Sequence, residues 1–153
     1  YSMTGWRIGY AAGPQDVATA ITQMQSHMTS GPATFCQNAS VDALRKGNAD
    51  IEKMRVEFER RAKHIYQQLI TIPGVSCIEP TGAFYVFPNV SSHYKRLGVK
   101  YSVEFCNRLL EEAKVACVPG VGFGCDQNIR LSFATSMQQI DKGLERIAAF
   151  LKK

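Results

Sequence analysis

The stretch from 51 to 74, IEKMRVEFERRAKHIYQQLITIPG, decides the fold class of this chain. Its apolar residues recur every three or four positions over about six turns of helix, and Pro73 and Gly74 end the run. Such a pattern predicts a long amphipathic helix with one face toward a core. The stripe consists of Ile51, Met54, Phe58, Ala62, Ile65, Leu69 and Ile72.

Beyond this helix, strand-like and helix-like segments alternate to the end of the chain. Helices are predicted from about 102 to 114 and from Ser136 onward, where Ser136 and Gln139 have the spacing of a capping box. Alternation of this kind predicts an α/β or α+β fold, with a sheet covered by helices. The predicted strands are VSCI at 75–78, AFYVF at 83–87, VACVP at 115–119 and NIRLSF at 128–133.

Before this helix the chain offers little sheet. WRIGYAAG, residues 6–13, is β-compatible and predicts one buried strand ending in a turn. Periodic segments from Pro14 to Met28 and from Ala33 to Arg45 predict two helices, the second ending at Gly47 in a left-handed cap. One strand cannot satisfy its own edges, so this part is expected to belong to something larger. The domain boundary is predicted near residue 50.

Charge and composition exclude several classes of protein. The chain has 153 residues, 45% of them hydrophobic and 20% charged, and a net charge of +5. These values are ordinary for a soluble globular protein, and the longest apolar runs fall short of the ~20 residues that span a bilayer. The basic residues between 53 and 63 alternate with glutamates, as on a solvated helix face. We therefore expect neither a membrane nor a nucleic-acid partner.

The cysteines and histidines predict no metal site. There are five cysteines and three histidines, and no CxxC spacing occurs. An odd number of scattered thiols does not form a disulfide framework, and is typical of a reducing cytoplasm. We expect buried or idle thiols and a cytoplasmic protein.

Two arginines are the clearest candidates for a binding site. Arg7 and Arg130 lie in the apolar segments GWRIGY and NIRLSF. A strand arginine often points to solvent or pairs with a nearby carboxylate. Its planar fork of donors also suits a carboxylate or a phosphate. The pair indicates a site for a small anionic molecule, whereas VPGVGFG lacks the G-x-G-x-x-G pattern of dinucleotide-binding loops.

Four motifs in order carry a family resemblance over essentially the whole chain. YSMTGWRIGY, at 1–10, resembles the segment that follows the cofactor lysine in class I, fold-type I aminotransferases dependent on pyridoxal phosphate. PTGAFYVFP, VACVPGVGFG and NIRLSFATS are similar to later landmarks of that family. The resemblance implies the C-terminal part of a fold-type I fold. Residues 1–50 would be a remnant of the large cofactor-binding domain and 51–153 the small α/β domain, with a mixed or antiparallel sheet.

The resemblance also implies roles for individual residues. Arg7 would contact the phosphate of pyridoxal phosphate, Arg130 would hold the substrate α-carboxylate, and Phe84 would lie near the substrate side chain. Aromatic strand residues are often core residues, so Phe84 has that alternative. The cofactor lysine would stand two residues before Tyr1, so this chain would contain no catalytic residue of its own and would be inactive alone.

The activity implied is the transfer of an amino group from an amino acid to a 2-oxo acid, in a homodimeric enzyme. Aspartate is the first expectation for the donor, because TGWRIGY and RLSFATS are most similar to the aspartate aminotransferase group. A β-lyase or a decarboxylase on the same fold, and a non-catalytic binding domain, are the alternatives.

Overall fold

The computed structural model describes residues 1–152. The chain divides into two compact units, Tyr1–Met54 and Arg55–Lys153. Each unit is described separately. In the part of the chain that is described, no helix has the length and apolar character needed to cross a bilayer.

The first unit is helical. It contains a 3-10 helix at Thr4–Trp6, helix α1 at Gln15–Thr29 and helix α2 at Thr34–Lys46, and helix α3, at Asn48–Ile70, begins in it. The predicted strand at 6–13 is wrong, because this unit offers no second strand with which it could pair.

The ends and faces of these two helices differ partly from expectation. Pro14 precedes α1, as predicted. Gly47 has φ −80° and not a left-handed φ, because α3 begins at the next residue and the chain does not need to reverse. The apolar stripe of α1 is exposed, and Cys36 is the one buried residue among 1–54.

The second unit contains a small antiparallel sheet. Strands β1 (Tyr85–Val86), β2 (Val118–Pro119) and β3 (Ile129–Ser132) lie in the order β1-β3-β2. Each is a shorter version of a predicted strand. The predicted strand at 75–78 is wrong, since it contributes only one bridge, between Ser76 and Asn89. Pro80, which follows shortly, has no N–H to continue a ladder.

Three further helices complete the second unit. They are α4 at Tyr94–Leu97, α5 at Ser102–Ala113 and α6 at Met137–Phe150. The predicted start of α6 is confirmed, because the Ser136 hydroxyl accepts a hydrogen bond from the Gln139 backbone N–H at 3.3 Å. Two 3-10 helices, at Ser91–His93 and Gly120–Phe123, lie in the connections.

The position of the core in the second unit shows on which face of the sheet the candidate site lies. Along β3, Ile129 and Leu131 are buried and Arg130 is half-buried. Because successive strand residues point to opposite faces, the core lies on the face of Ile129 and Leu131, and Arg130 is on the other. Buried residues from α3, α5 and α6 belong to the same cluster: Ile65, Leu69, Phe105, Leu109, Ile140, Leu144, Ile147 and Phe150.

The exposed face of α3 carries an ion-pair cluster around Glu57. The Arg60 Nε lies 2.9 Å and the Arg61 Nε 2.7 Å from carboxylate oxygens of Glu57. Hydrogen bonds from Arg60 and then Arg61 lower the pKa of Glu57 from 4.5 to about 2. The contribution of this cluster to stability is complete above pH 4.5 and is lost as the pH falls through about 2.

We expect the Glu57 carboxyl carbon to titrate with a midpoint near pH 2 in an NMR experiment. In the double variant Arg60→Gln, Arg61→Gln the midpoint should rise toward 4.5, because both donors are lost. An ordinary midpoint in the unmodified chain would show that the two arginines do not hold this carboxylate in solution.

Candidate carboxylate-binding site

Arg130 is the charged residue of β3 and lies opposite Val118 of β2. On the other side of β3, Tyr85 pairs with Ser132. Ser132 stands two residues after Arg130, so Arg130 and Tyr85 are diagonal neighbours on one face of the sheet, within reach of long side chains. The sheet register therefore sets the first contact of the Arg130 side chain.

Two aromatic rings hold the Arg130 guanidinium. Its Cζ lies 4.3 Å from the ring centroid of Tyr85 and 4.5 Å from that of Phe123. Both distances are well inside the ~6 Å at which a cation is attracted to a ring face. We refer to Tyr85 and Phe123 as the aromatic clamp. The clamp restricts the orientation of the guanidinium plane while consuming none of its N–H donors.

The donors of Arg130 are available to a ligand. The structure gives this guanidinium no ion pair and no hydrogen bond to any described residue, and its Nε is buried without a partner. A buried N–H without an acceptor costs about 1–3 kcal/mol. An anion that accepts from the guanidinium would remove that cost, and a carboxylate matches the fork with two parallel hydrogen bonds.

Phe123 reaches the clamp from the turn that follows β2. Gly120 begins this turn, and a Cβ there would lie 2.1 Å from the carbonyl oxygen of Cys125, so only glycine fits. Gly124 ends the turn with a φ of +77°, which glycine adopts without strain. The ring of Phe123 also meets Phe87 edge to face, at 5.9 Å between centroids. The turn thus fixes one half of the clamp.

A buried hydroxyl ties this turn to α5. Ser102, which is fully buried, donates from its hydroxyl to Asp126 Oδ1 at 2.6 Å and accepts from the Val121 backbone N–H at 3.2 Å. The Ser102 backbone N–H donates to the same carboxylate oxygen at 2.9 Å. One side chain therefore connects the first turn of α5 with both sides of the segment that presents Phe123.

We expect Ser102→Ala to lower the free energy of unfolding by about 1–3 kcal/mol, since the Asp126 carboxylate and the Val121 N–H each lose a buried partner. Urea unfolding followed by circular dichroism measures this change. Ser91→Ala removes a less buried hydroxyl that bonds within its own turn, to Asn89, and should cost less. Equal values for the two variants would contradict the bridging role of Ser102.

Phe84 lies beside the clamp and also packs against the core. Its ring centroid is 4.3 Å from that of Tyr85 and 6.4 Å from that of Phe58 in α3. It is half-buried and packs against the core cluster. Tyr85 thus lies between Phe84 and Arg130 in this chain of contacts. Phe84 also packs against Phe58.

Arg7 lies in the first unit and not in a strand. It follows the 3-10 helix at Thr4–Trp6 with φ 51° and ψ 45°, in the left-handed region that few residues other than glycine adopt. Its guanidinium is exposed and donates one hydrogen bond, to the Thr4 carbonyl oxygen at 3.2 Å. The remaining N–H donors fit a phosphate group, whose oxygens accept bidentate hydrogen bonds.

The neighbours of Arg7 fix its segment within the first unit. The Trp6 ring meets the Phe35 ring edge to face at 5.7 Å, and the Ser2 hydroxyl lies 3.1 Å from the Met54 sulfur. Ser2 also has a left-handed φ of 51°. Strained positions of this kind persist when surrounding contacts hold them, and they cluster at binding sites.

Tyr85 and Phe123 are the site residues that the sequence analysis did not identify. Tyr85 is one of three aromatic residues in AFYVF, and only the sheet register distinguishes it from its neighbours. Phe123 is an exposed aromatic residue inside a glycine-rich turn. An aromatic residue in a turn is a sequence signal for a binding site, because such a side chain is not needed to fill the core.

Comparisons with known proteins place the chain among aminotransferases. Residues 1–147 match the family described as "Aminotransferase class I and II". An aspartate aminotransferase of Bacillus subtilis is 48% identical over 153 residues, which are all of this chain and 39% of the relative. The crystal structure of a Thermotoga maritima aspartate aminotransferase matches with a TM-score of 0.88 and 42% identity, over 99% of this chain and 37% of that one.

A further solved structure extends the range of named substrates. An aromatic aminotransferase from Pyrococcus horikoshii matches 99% of this chain and 40% of its own, with a TM-score of 0.88 and 34% identity. The chain therefore spans about two fifths of the length of these relatives.

Proposed function

Because this chain belongs to the family of class I and II aminotransferases, we propose that it is part of a pyridoxal-phosphate-dependent enzyme that moves an amino group from an amino acid to a 2-oxo acid. The observation that carries the proposal is the Arg130 guanidinium. It is held by two rings, it has no internal acceptor among the described residues, and it matches a carboxylate. Every amino acid and every 2-oxo acid carries that group.

Arg130 acts in this proposal by binding and orientation. A bidentate pair with the α-carboxylate fixes two atoms of the substrate and so limits rotation about the bond to Cα. Holding a reacting group in one geometry accounts for a large part of many rate enhancements. The aromatic clamp, Tyr85 and Phe123, keeps the fork pre-aligned, so less side-chain freedom is lost on binding.

Phe84 extends the same site toward the substrate side chain. Its ring packs against the ring of Tyr85 and against that of Phe58, a half-buried residue of α3. A ring supported in this way presents a fixed apolar wall, and we assign it to the pocket that receives the substrate side chain.

Arg7 anchors the cofactor phosphate in the proposal. When bound, pyridoxal phosphate supplies an electron sink for bond cleavage at the amino acid Cα. The exposed donors of Arg7 hold a dianionic group, and its strained left-handed backbone points to a position maintained for function. This chain thus contributes one anion site for the cofactor and one for the substrate.

We expect Arg7→Gln to weaken binding of pyridoxal phosphate to the complete enzyme by about 10-fold or more, since one hydrogen bond to a charged group contributes ~1.5–3 kcal/mol. A spectrophotometric titration of the apoenzyme measures the dissociation constant. Arg45→Gln, at an exposed position of α2 in the same unit, is the matched control and should leave it unchanged. An unaltered constant in Arg7→Gln would remove Arg7 from the cofactor site.

The proposal assigns residues 1–50 to a large cofactor-binding domain and 51–153 to the small domain. The division of the chain into compact units at Met54 and Arg55 supports a boundary in this region. The cofactor lysine expected from the resemblance is not among these residues, so we propose that the chain alone does not transaminate. We further propose a homodimeric, cytoplasmic enzyme. Five unpaired cysteines support a reducing compartment.

Aspartate is the proposed donor, and the naming of the Bacillus subtilis and Thermotoga maritima proteins supports it. The test uses the complete gene product with pyridoxal phosphate and a panel of dicarboxylic, amide and aromatic amino acids, each with and without a 2-oxo acid. A transaminase turns over repeatedly only when the acceptor is present. Turnover of a donor without any acceptor would identify a lyase or decarboxylase, and no reaction with any donor would favour a non-catalytic binding protein.

A further inference from the structure

Two thiols of the second unit lie in contact. Cys106 is a buried residue of α5, and Cys117 is a half-buried residue of the connection that leads into β2. The Cys117 thiol lies 3.2 Å from the Cys106 sulfur and donates to it. Both cysteines are free. A disulfide has an S–S length near 2.05 Å, so the two sulfurs need to approach by only about 1 Å.

The chemistry of the pair is asymmetric. The hydrogen bond donated by Cys117 lowers the pKa of Cys106, whereas the same bond and burial raise the pKa of Cys117. The thiolate is the reactive form of cysteine. The hydrogen bond therefore favours the thiolate form at Cys106, and Cys117 stands at contact distance as the resolving thiol.

The other thiols of the chain lack this arrangement. The Cys125 thiol donates to Asn128 Oδ1 at 3.1 Å, and the Cys77 thiol to the Ile78 carbonyl oxygen at 3.3 Å. Burial raises the pKa of Cys77. Cys36 is buried and belongs to the first unit. Among five cysteines, contact between two sulfurs occurs at one place.

We propose that Cys106 and Cys117 form a peroxide-sensitive dithiol, which closes to an intramolecular disulfide between α5 and the entry to β2. The Cys106 thiolate displaces hydroxide from hydrogen peroxide and becomes a sulfenic acid. The Cys117 thiol then attacks the Cys106 sulfur, so the S–S bond forms and the S–O bond breaks. Two thiols and one peroxide give one disulfide and two waters.

The position of this disulfide is informative. Cys117 directly precedes Val118, the register partner of Arg130, and Cys106 lies one turn after Ser102 on α5. The Ser102 hydroxyl already connects α5 with the turn after β2, at Val121, and the oxidised form would also link α5 to the residue that precedes β2. The inference rests on the two sulfurs alone and stands whatever reaction the enzyme catalyses.

The test exposes the complete gene product to one equivalent of hydrogen peroxide, removes the excess with catalase, and counts by peptide mapping after denaturation how many of this chain's five cysteines remain free. We expect the count to fall from five to three per chain, with peptide mapping showing a Cys106–Cys117 link. Cys125→Ser is the matched control and should fall from four to two. Cys117→Ser lacks the resolving thiol, so its count should fall from four to three at most, through a sulfenic acid at Cys106, and peptide mapping should show no disulfide.

The same treatment in urea distinguishes disulfide pairing that the fold causes from pairing by random collision of thiols. Pairing should be confined to Cys106 and Cys117 in the folded chain and become mixed in the unfolded one. Folded chains that keep both thiols, or that link either of them to a different cysteine, would overturn the proposal. Because the mapping uses the unmodified sequence, this result does not depend on whether a serine variant folds.

Discussion

Arg130→Met in the complete enzyme should lower kcat/KM for every amino acid donor by at least about 100-fold. The side chain would make two charge-assisted hydrogen bonds to the substrate carboxylate, each contributing ~1.5–3 kcal/mol, and about 3 kcal/mol corresponds to 100-fold. Methionine keeps apolar contact with Tyr85 and Phe123, so the space beside the two rings stays occupied. Steady-state kinetics with two donors of different side-chain chemistry measures the effect.

Arg130→Lys refines this prediction. Lysine keeps the charge but lacks the planar fork and stacks less well on the two rings, so its kcat/KM should lie between those of the unmodified enzyme and Arg130→Met. The control is Arg146→Met, which removes another arginine of the second unit, one that donates to the Lys114 carbonyl oxygen. If Arg130→Met retained kcat/KM within about threefold of Arg146→Met, a difference below 1 kcal/mol, Arg130 would not be the carboxylate-binding residue.

Phe105→Ala should lower the free energy of unfolding by about 3–5 kcal/mol, the range for truncating a buried phenylalanine. Phe105 is fully buried on α5, and its ring centroid is 5.7 Å from those of both Tyr94 and Phe150. It therefore joins α4, α5 and α6. Because the total stability of a domain is ~5–15 kcal/mol, a loss of this size removes a large share of it.

Urea unfolding of the chain, followed by far-ultraviolet circular dichroism, measures the loss. Leu110→Ala is the matched control, since Leu110 lies on the same helix with 51% of its surface exposed, and it should cost far less. A loss below about 1 kcal/mol for Phe105→Ala, a value typical of surface sites, would mean that the core is not packed around this ring.

The helices were the most predictable part of the fold. The stripe from Ile51 to Ile72 predicted α3, and the Ser136 and Gln139 pair predicted the start of α6, because both signals are local. The strand predictions were less reliable. The segments at 83–87, 115–119 and 128–133 became short strands, whereas 6–13 and 75–78 found no partner ladder. A strand depends on distant residues that no local pattern reveals.

The candidate site was predictable only in part. Arg130 could be singled out because a lone charge among apolar strand residues is unusual, and the alternation along β3 explains why its side chain lies on the face away from the core. Arg7 was singled out for the same reason, although its backbone is left-handed and not extended. Tyr85 and Phe123 required the sheet register and the turn after β2. The contact between Cys106 and Cys117 was missed, since the sequence analysis expected idle thiols.

The most direct test follows the amino group itself. The complete gene product is incubated with pyridoxal phosphate, aspartate labelled with nitrogen-15 and an unlabelled dicarboxylic 2-oxo acid, and the products are analysed by mass spectrometry. We predict that the label appears in the amino acid derived from the acceptor, in amounts equal to the 2-oxo acid formed from aspartate. If no label reached the acceptor with aspartate or with any other donor, the protein would not be an aminotransferase.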